Sequence, residues 1–307
     1  MSAFRRTLLL FGLAYAGLSV AGGAVLAERA LHRPRRPITA DERVRAAAAA
    51  RAWGAHVEDV SIGAADASRL RGWLFTPAAA SGHSVIVLHG IVANRASMLD
   101  AARLFVASRY RTLVIDARGH GDSGGELATY GALEADDLRR WIAWMRGNEG
   151  SCVYTFGQSL GAAHALEAAD APGLCAVVAQ SAYASLREIT FDRIGQQAGT
   201  GSWLGRVLLR PGVEFAFLYV KARYGVDLGT ASAAGAVARP GAPILLIHGL
   251  DDDNVPIRHA GLIAGANPGR VTEWLIPGGG HGTPRAAGEA EYAQRIAAFL
   301  AAHRRVR

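Results

Sequence analysis

Gly157-Gln158-Ser159-Leu160-Gly161 sets a serine between two glycines, after the β-prone run Val153–Phe156 and before an alanine-rich helical stretch. A strand–turn–helix of this kind can hold a serine on a sharp turn with its hydroxyl above a sheet. A Cβ at Gly157 or Gly161 would obstruct the close approach of strand and helix. A serine hydroxyl becomes a nucleophile only when a base takes its proton, and that base needs an acid to fix its tautomer. The chemistry to test for is therefore acyl transfer, and it requires an acid and then a histidine further along the chain.

Both are present, each just beyond a short apolar run. Ile244–Ile247 leads into His248-Gly249-Leu250-Asp251-Asp252-Asp253, and Val271–Ile276 leads into Pro277-Gly278-Gly279-Gly280-His281-Gly282. Open α/β sheets keep their chemistry at the carboxyl ends of strands, and glycines around His281 permit a turn that carries an imidazole to a neighbouring loop. The acid triplet also reads as a solvated turn, and without clustered His or Cys ligands it makes a poor metal site. Among the other histidines, His89 and His248 read as turn residues at strand ends and His120 as a residue shaping a glycine-rich loop. His164 reads as packing on the helix after Ser159, and His259 and His303 as helix-surface residues. Asp116 and Arg118 read as a structural pair or turn determinant.

Leu88-His89-Gly90-Ile91 ends an earlier strand. The backbone N–H groups of Ile91 and Leu160 would form a two-donor oxyanion hole, each donor worth roughly 3–4 kcal/mol in the transition state. This chemistry needs no cofactor, and the loop Gly119–Gly125 lacks the helix start of a phosphate-cradling motif.

The elements that must position these residues alternate. Val57–Ile62 and Arg69–Phe75 read as antiparallel strands. Strands at Ser84–Leu88, Thr112–Ile115, Cys152–Phe156, Leu174–Ala179, Ile244–Ile247 and Val271–Leu275 are interleaved with helices at Arg95–Ser108, Leu133–Met145, Leu160–Ala169, Ala260–Ala266 and Ala286–Ala302. Such alternation predicts an α/β fold with a mostly parallel central sheet and helices on both faces. About sixty residues with aromatics and a helical stretch at Glu214–Arg223 interrupt the rhythm and read as an inserted helical cap, about 182–240.

Residues 1–36 hold six arginines against one acid, Glu28, so +5 of the +7 net charge sits there and +2 on the remainder. The charge flanks Thr7–Ala27, twenty-one uncharged residues that span about 30 Å as a helix, one hydrocarbon core. This pattern points to membrane topology and away from nucleic acid. An uncleaved transmembrane anchor over 7–27 is the expectation, a signal peptide the alternative, since signal cores are usually shorter. The arginine bias leans toward a cytoplasmic catalytic domain. A linker and helix follow over 28–54, with the helix at Ile38–Trp53. Cys152 and Cys175, the two cysteines, start neighbouring strands and read as buried thiols, with a disulfide geometrically open.

His89-Gly90, Asp116-Ala117-Arg118-Gly119-His120-Gly121-Asp122-Ser123, the Ser159 motif, His248-Gly249-Leu250-Asp251-Asp252 with Val255-Pro256, and Gly280-His281-Gly282 together resemble the α/β-hydrolase fold superfamily. Over residues 55–302 the run is similar to its membrane-anchored esterase, thioesterase and aminopeptidase-like branch. The resemblance implies Ser159 as nucleophile, Asp252 as triad acid through H-G-x-x-D, His281 as base, and Ile91 and Leu160 as oxyanion donors. It implies a serine hydrolase of carboxylic esters or thioesters acting on a small-molecule or lipid-like acyl substrate, with no cofactor and no metal. Aminopeptidase-type or amidase-type hydrolysis and a non-catalytic membrane-tethered scaffold are the alternatives. No HGGG-type loop follows Leu88, a departure from the lipase pattern.

Overall fold

The computed structural model describes residues 3–147, 152–200, 203–282 and 287–304. Its strands are β1 (Ala55–Gly63), β2 (Arg69–Pro77), β3 (His83–Leu88), β4 (Arg111–Ile115), β5 (Cys152–Gln158), β6 (Leu174–Gln180), β7 (Ile244–Gly249) and β8 (Val271–Ile276). They form one sheet in the order β1-β2-β4-β3-β5-β6-β7-β8. β2 runs antiparallel to both β1 and β4, and every other neighbouring pair is parallel.

The helices are α1 (Ala3–Leu31), α2 (Ala40–Ala52), α3 (Leu99–Ala107), α4 (Glu134–Gly147), α5 (Leu160–Glu167), α6 (Leu186–Ala198), α7 (Trp203–Val207), α8 (Arg210–Tyr224), α9 (Ala233–Val237), α10 (Arg258–Ala266) and α11 (Glu289–Ala302). The central strands are buried on both faces, which is why they read as continuous apolar runs. Side chains still alternate between the two cores. Val85 and Val87 join Phe105 of α3 and Ile296 of α11, while Ile86 and Leu88 join Leu138 of α4 and Leu166 of α5.

Several helix boundaries follow from capping. α2 starts at Ala40, two residues later than expected, because Thr39 and Glu42 close a capping box. α8 is longer than the expected 214–223: Pro211 is tolerated in its first turn, and Gly225, at φ +70°, ends it. The expected helix at Arg95–Ser108 opens instead with a 3-10 turn, Arg95–Met98, because Arg95 is drawn into the interior by Asp116. α11 starts at Glu289, and Ala286, the start expected for it, lies outside the described residues. The segment between β6 and β7 is helical, α6 to α9.

One expectation is corrected. Cys152 and Cys175 are bonded to each other rather than left as thiols, across Cα atoms 5.6 Å apart. Cys152 opens β5 and Cys175 is the second residue of parallel β6, beside the point where the register of the two strands shifts at Val153/Tyr154.

By length and composition α1 is a candidate membrane span or signal sequence. Residues 4–18 are exposed on all sides, and burial begins near Ser19.

Candidate active site

Ser159 sits between β5 and α5 with φ 55° and ψ −115°, a left-handed conformation that costs a non-glycine residue of order 1–3 kcal/mol. The flanking glycines make room for that turn. A Cβ on Gly157 would lie 2.2 Å from the Gly161 carbonyl oxygen, and one on Gly161 would lie 2.6 Å from that of Leu88. The serine N–H donates to the Gln180 carbonyl at 2.8 Å, tying the strained residue to β6.

The turns after β7 and β8 converge on this point. His281 Nε2 lies 3.1 Å from Ser159 Oγ, and His281 Nδ1 lies 2.9 and 3.1 Å from the Asp252 carboxylate oxygens. Asp252 also accepts from the backbone N–H groups of Asn254 (3.0 Å) and Val255 (2.8 Å). Burial opposes its ionisation, but the His281 bond and the Val255 N–H outweigh it and hold the carboxyl below its ordinary range. Asp252 is therefore a fixed anion, able to keep the proton of His281 on Nδ1 and leave Nε2 free to accept. The backbones after β7 and β8 meet closely, since a Cβ on Gly249 would lie 2.0 Å from the Gly279 carbonyl oxygen. Asp251 and Asp253 are exposed.

Ile91, after β3, and Leu160, the first residue of α5, both border the cavity over Ser159. The Leu160 N–H is one of the first-turn amides that no helical carbonyl can satisfy. His89 controls the other peptide. Its Nε2 accepts from the Ala117 N–H at 3.1 Å, so Nδ1 carries the proton and donates to the Gly90 carbonyl at 2.7 Å. That carbonyl and the Ile91 N–H belong to one planar trans peptide and point in opposite directions. Holding the oxygen therefore aims the N–H. Burial pushes the imidazole of His89 down to about 3, so it stays neutral and keeps this tautomer.

A profile of the alpha/beta hydrolase family matches residues 85–297, from β3 into α11. The chain belongs to that family. The Bacillus subtilis protein YqkD is 26% identical over 223 residues, 71% of each chain. The Pyrococcus furiosus esterase Pf2001 has the same fold, with a TM-score of 0.70 and 22% identity over 90% of this chain and 99% of its own. A membrane phospholipase A described as a bacterial virulence factor superposes with a TM-score of 0.57 and 16% identity, covering 100% of both chains.

The other polar residues of this hydrolase support the frame. Asp116 and Arg118 do not pair with each other. Asp116 holds the fully buried Arg95, whose guanidinium also reaches Asp122 (3.0 Å) and Asp59 (3.2 Å), whereas Arg118 takes both oxygens of Asp137 at 2.7 and 2.8 Å. His259 is fully buried, not a surface residue. It lies 2.7 Å from Asp192 of α6 and accepts from the Ala184 N–H, so it pins the helical insertion to α10. His164 is buried as expected, and burial lowers it to about 4.

A cavity of about 380 Å³ opens over Ser159. Its walls are largely apolar, from Leu186 and Ile189 of α6, Val213 and Phe217 of α8, and Leu26 and Ala30 of α1. Arg33 and Arg193 also face it. Neither arginine was singled out by the sequence, because an arginine after an anchor and one on a helix both read as solvated charges.

Proposed function

We propose that the protein is a membrane-anchored serine hydrolase that cleaves carboxylic ester or thioester bonds through an acyl-enzyme. The observation that carries this reading is the unbroken hydrogen-bonded chain from Asp252 through His281 to Ser159 at the floor of a largely apolar cavity. Ser159 Oγ attacks the acyl carbon while His281 Nε2 takes its proton. The imidazolium is stabilised by Asp252, and the oxyanion by the Ile91 and Leu160 N–H groups. His281 then protonates the leaving group, and in the second half it activates water to release the acid. An aminopeptidase reading fits less well, because no carboxylate among the described cavity residues is placed to bind a substrate ammonium group.

α1 serves as the anchor in this reading rather than as a cleaved signal, since Leu26, Ala27 and Ala30 belong to the cavity wall. The arginine bias leans toward the cytoplasm, but the disulfide supports an oxidising compartment for the catalytic domain, because cytosolic thiols are kept reduced. Protease added to intact cells is expected to digest the domain; full protection would place it inside.

The catalytic assignment is tested with Ser159→Ala. Loss of p-nitrophenyl ester hydrolysis and of fluorophosphonate labelling, with an unchanged far-UV spectrum, is expected. Hydrolysis at the parent rate would remove Ser159 from the mechanism.

A further inference from the structure

α1 divides into an exposed half and a docked half. Residues 4–18 are exposed and, apart from Arg5 and Arg6, uncharged, over roughly 22 Å. Beyond them Gly23, Ala27 and Leu31, spaced four apart, are buried as one stripe. At Gly23 the approach to α8 is backbone to backbone, for a Cβ there would lie 2.4 Å from the Gly212 carbonyl oxygen. Small residues at such a crossing are how helices meet inside lipid. The docking is bonded as well as packed. Tyr130 donates to the Ala30 carbonyl at 2.9 Å, and Glu28 accepts from Tyr219 and Tyr224 at 2.7 and 2.8 Å.

The Ser159 cavity does not end at this helix. Leu26, Ile194 and Val213 line it and also line a second apolar groove of about 340 Å³. That groove follows α1 back past Gly22 and Leu18 to Tyr15. The Tyr15 hydroxyl donates to the Leu208 carbonyl, so this part of the insertion sits level with the exposed half of α1. Trp203, Val207, Leu208 and Leu209 are all exposed at this place. Large apolar side chains beside a candidate membrane helix are placed to enter the same bilayer.

Charge is selective as well. Arg33 donates to the Tyr130 hydroxyl at 3.1 Å, and Arg193 to Gln196 and Asn254 at 3.2 and 3.0 Å. These partners are neutral, and among the described residues neither arginine has an acid within ion-pairing distance. Burial and the neighbouring Arg33 both act against the charge of Arg193, with only Asp252 and Asp192 nearby to favour it. Two arginines facing one cavity without a carboxylate form a receptor for an anion.

We propose that the substrate is an anionic membrane lipid that enters sideways from the bilayer, its acyl chain along the groove between α1 and the helical insertion, its ester at Ser159 and its headgroup anion against Arg33 and Arg193. The proposal rests on the ester-hydrolase reading above. The acyl carbon bonds to Ser159 Oγ as the ester C–O bond breaks, and the departing alkoxide takes the proton held by His281. Water then divides between the acyl group and Ser159, releasing a fatty acid and restoring the hydroxyl.

The test uses the full chain reconstituted in vesicles of mixed phosphatidylglycerol and phosphatidylcholine. Fatty acid released from each lipid is measured by mass spectrometry, beside p-nitrophenyl acetate hydrolysis and fluorophosphonate labelling on the same samples. The parent is expected to release fatty acid, preferentially from phosphatidylglycerol. Leu26→Trp, and independently Ile194→Trp should the first fail to fold, are expected to lower the ratio of lipid to p-nitrophenyl acetate turnover at least tenfold. The paired change Arg33→Gln with Arg193→Gln is expected to bring the preference between the two lipids close to one. A parent that cleaves p-nitrophenyl acetate but leaves vesicle lipid intact overturns the lipid proposal alone. Tryptophan variants that keep the ratio overturn the route, and a headgroup preference that survives in the paired variant overturns the anion site. A parent that neither cleaves the acetate nor takes the label overturns the hydrolase reading itself.

Discussion

His89 carries no proton to or from a substrate, yet the Ile91 N–H depends on it. Its protonated Nδ1 fixes the Gly90 carbonyl, and the planarity of that peptide transmits the constraint. As a positioning residue it is expected to affect kcat and leave KM nearly unchanged. His89→Phe is expected to lower kcat about tenfold or more, since losing one oxyanion donor outright costs about a hundredfold or more. His89→Asn, whose side-chain amide can replace Nδ1, is expected to recover part of the loss. Equal loss in both variants, or a change confined to KM, would argue that His89 only fills space. Sequence reasoning saw His89 as a turn residue, because the bond that matters runs to its own neighbour and leaves no pattern at a distance.

At the scale of elements, α5 is positioned from behind by two buried acidic side chains, Glu134 and Glu167. Glu134 accepts from the Thr129 and Gly131 N–H groups, each at 2.7 Å, whereas both carboxyl oxygens of Glu167 on α5 are buried without a hydrogen-bond partner among the described residues. Burial raises the Glu167 carboxyl well above its ordinary value, the negative charge of Glu134 adds to this, and Arg139 only partly offsets it. A carboxyl raised on folding gives stability that is full below the unfolded value and is lost as pH rises toward the folded one. Glu167→Gln removes that slope. Its melting temperature relative to the parent is therefore expected to rise as pH increases above the ordinary carboxyl range until the folded carboxyl ionises, as scanning calorimetry would record; a difference that does not vary with pH would mean Glu167 is charged throughout. The insertion is held by a similar device, His259 against Asp192, and here the sequence misled. The alternation of an α10 helix of nine residues gives little warning that its histidine points inward.

For the whole molecule, the disulfide closes a separation of 23 residues between the starts of two central strands. In the chain-entropy view that is worth about 3 kcal/mol. Cys175→Ala, or reduction of the parent, is expected to lower the melting temperature by roughly 5–10 °C, a shift readable by circular dichroism. An unchanged melting temperature would mean the bond does not form in the protein. Much of this architecture was legible beforehand, for physical reasons. Strands buried on both faces must be apolar throughout, and an acid and a histidine after later strands had to converge with Ser159 if those strands lay parallel. The strand order was not legible, because pairing depends on crossovers that leave no local trace. The second role of α1 was equally hidden. A helix that is apolar all round shows no preferred face, so nothing in Thr7–Ala27 distinguished the side that meets α8 from the side left exposed.

The contact between Tyr15 and Leu208 joins residues 193 positions apart, and that between Glu28 and Tyr219 joins residues 191 apart. During synthesis α1 is complete long before its partner exists. At ordinary elongation rates of roughly 5–20 residues per second, the wait lasts about 10–40 seconds. In the anchored reading proposed above, a bilayer holds this apolar helix until α8 arrives. The wall that α1 and α8 form over Ser159 is then set by a long-range docking step, and Leu228 and Val255, which also line the cavity, follow α8 in synthesis.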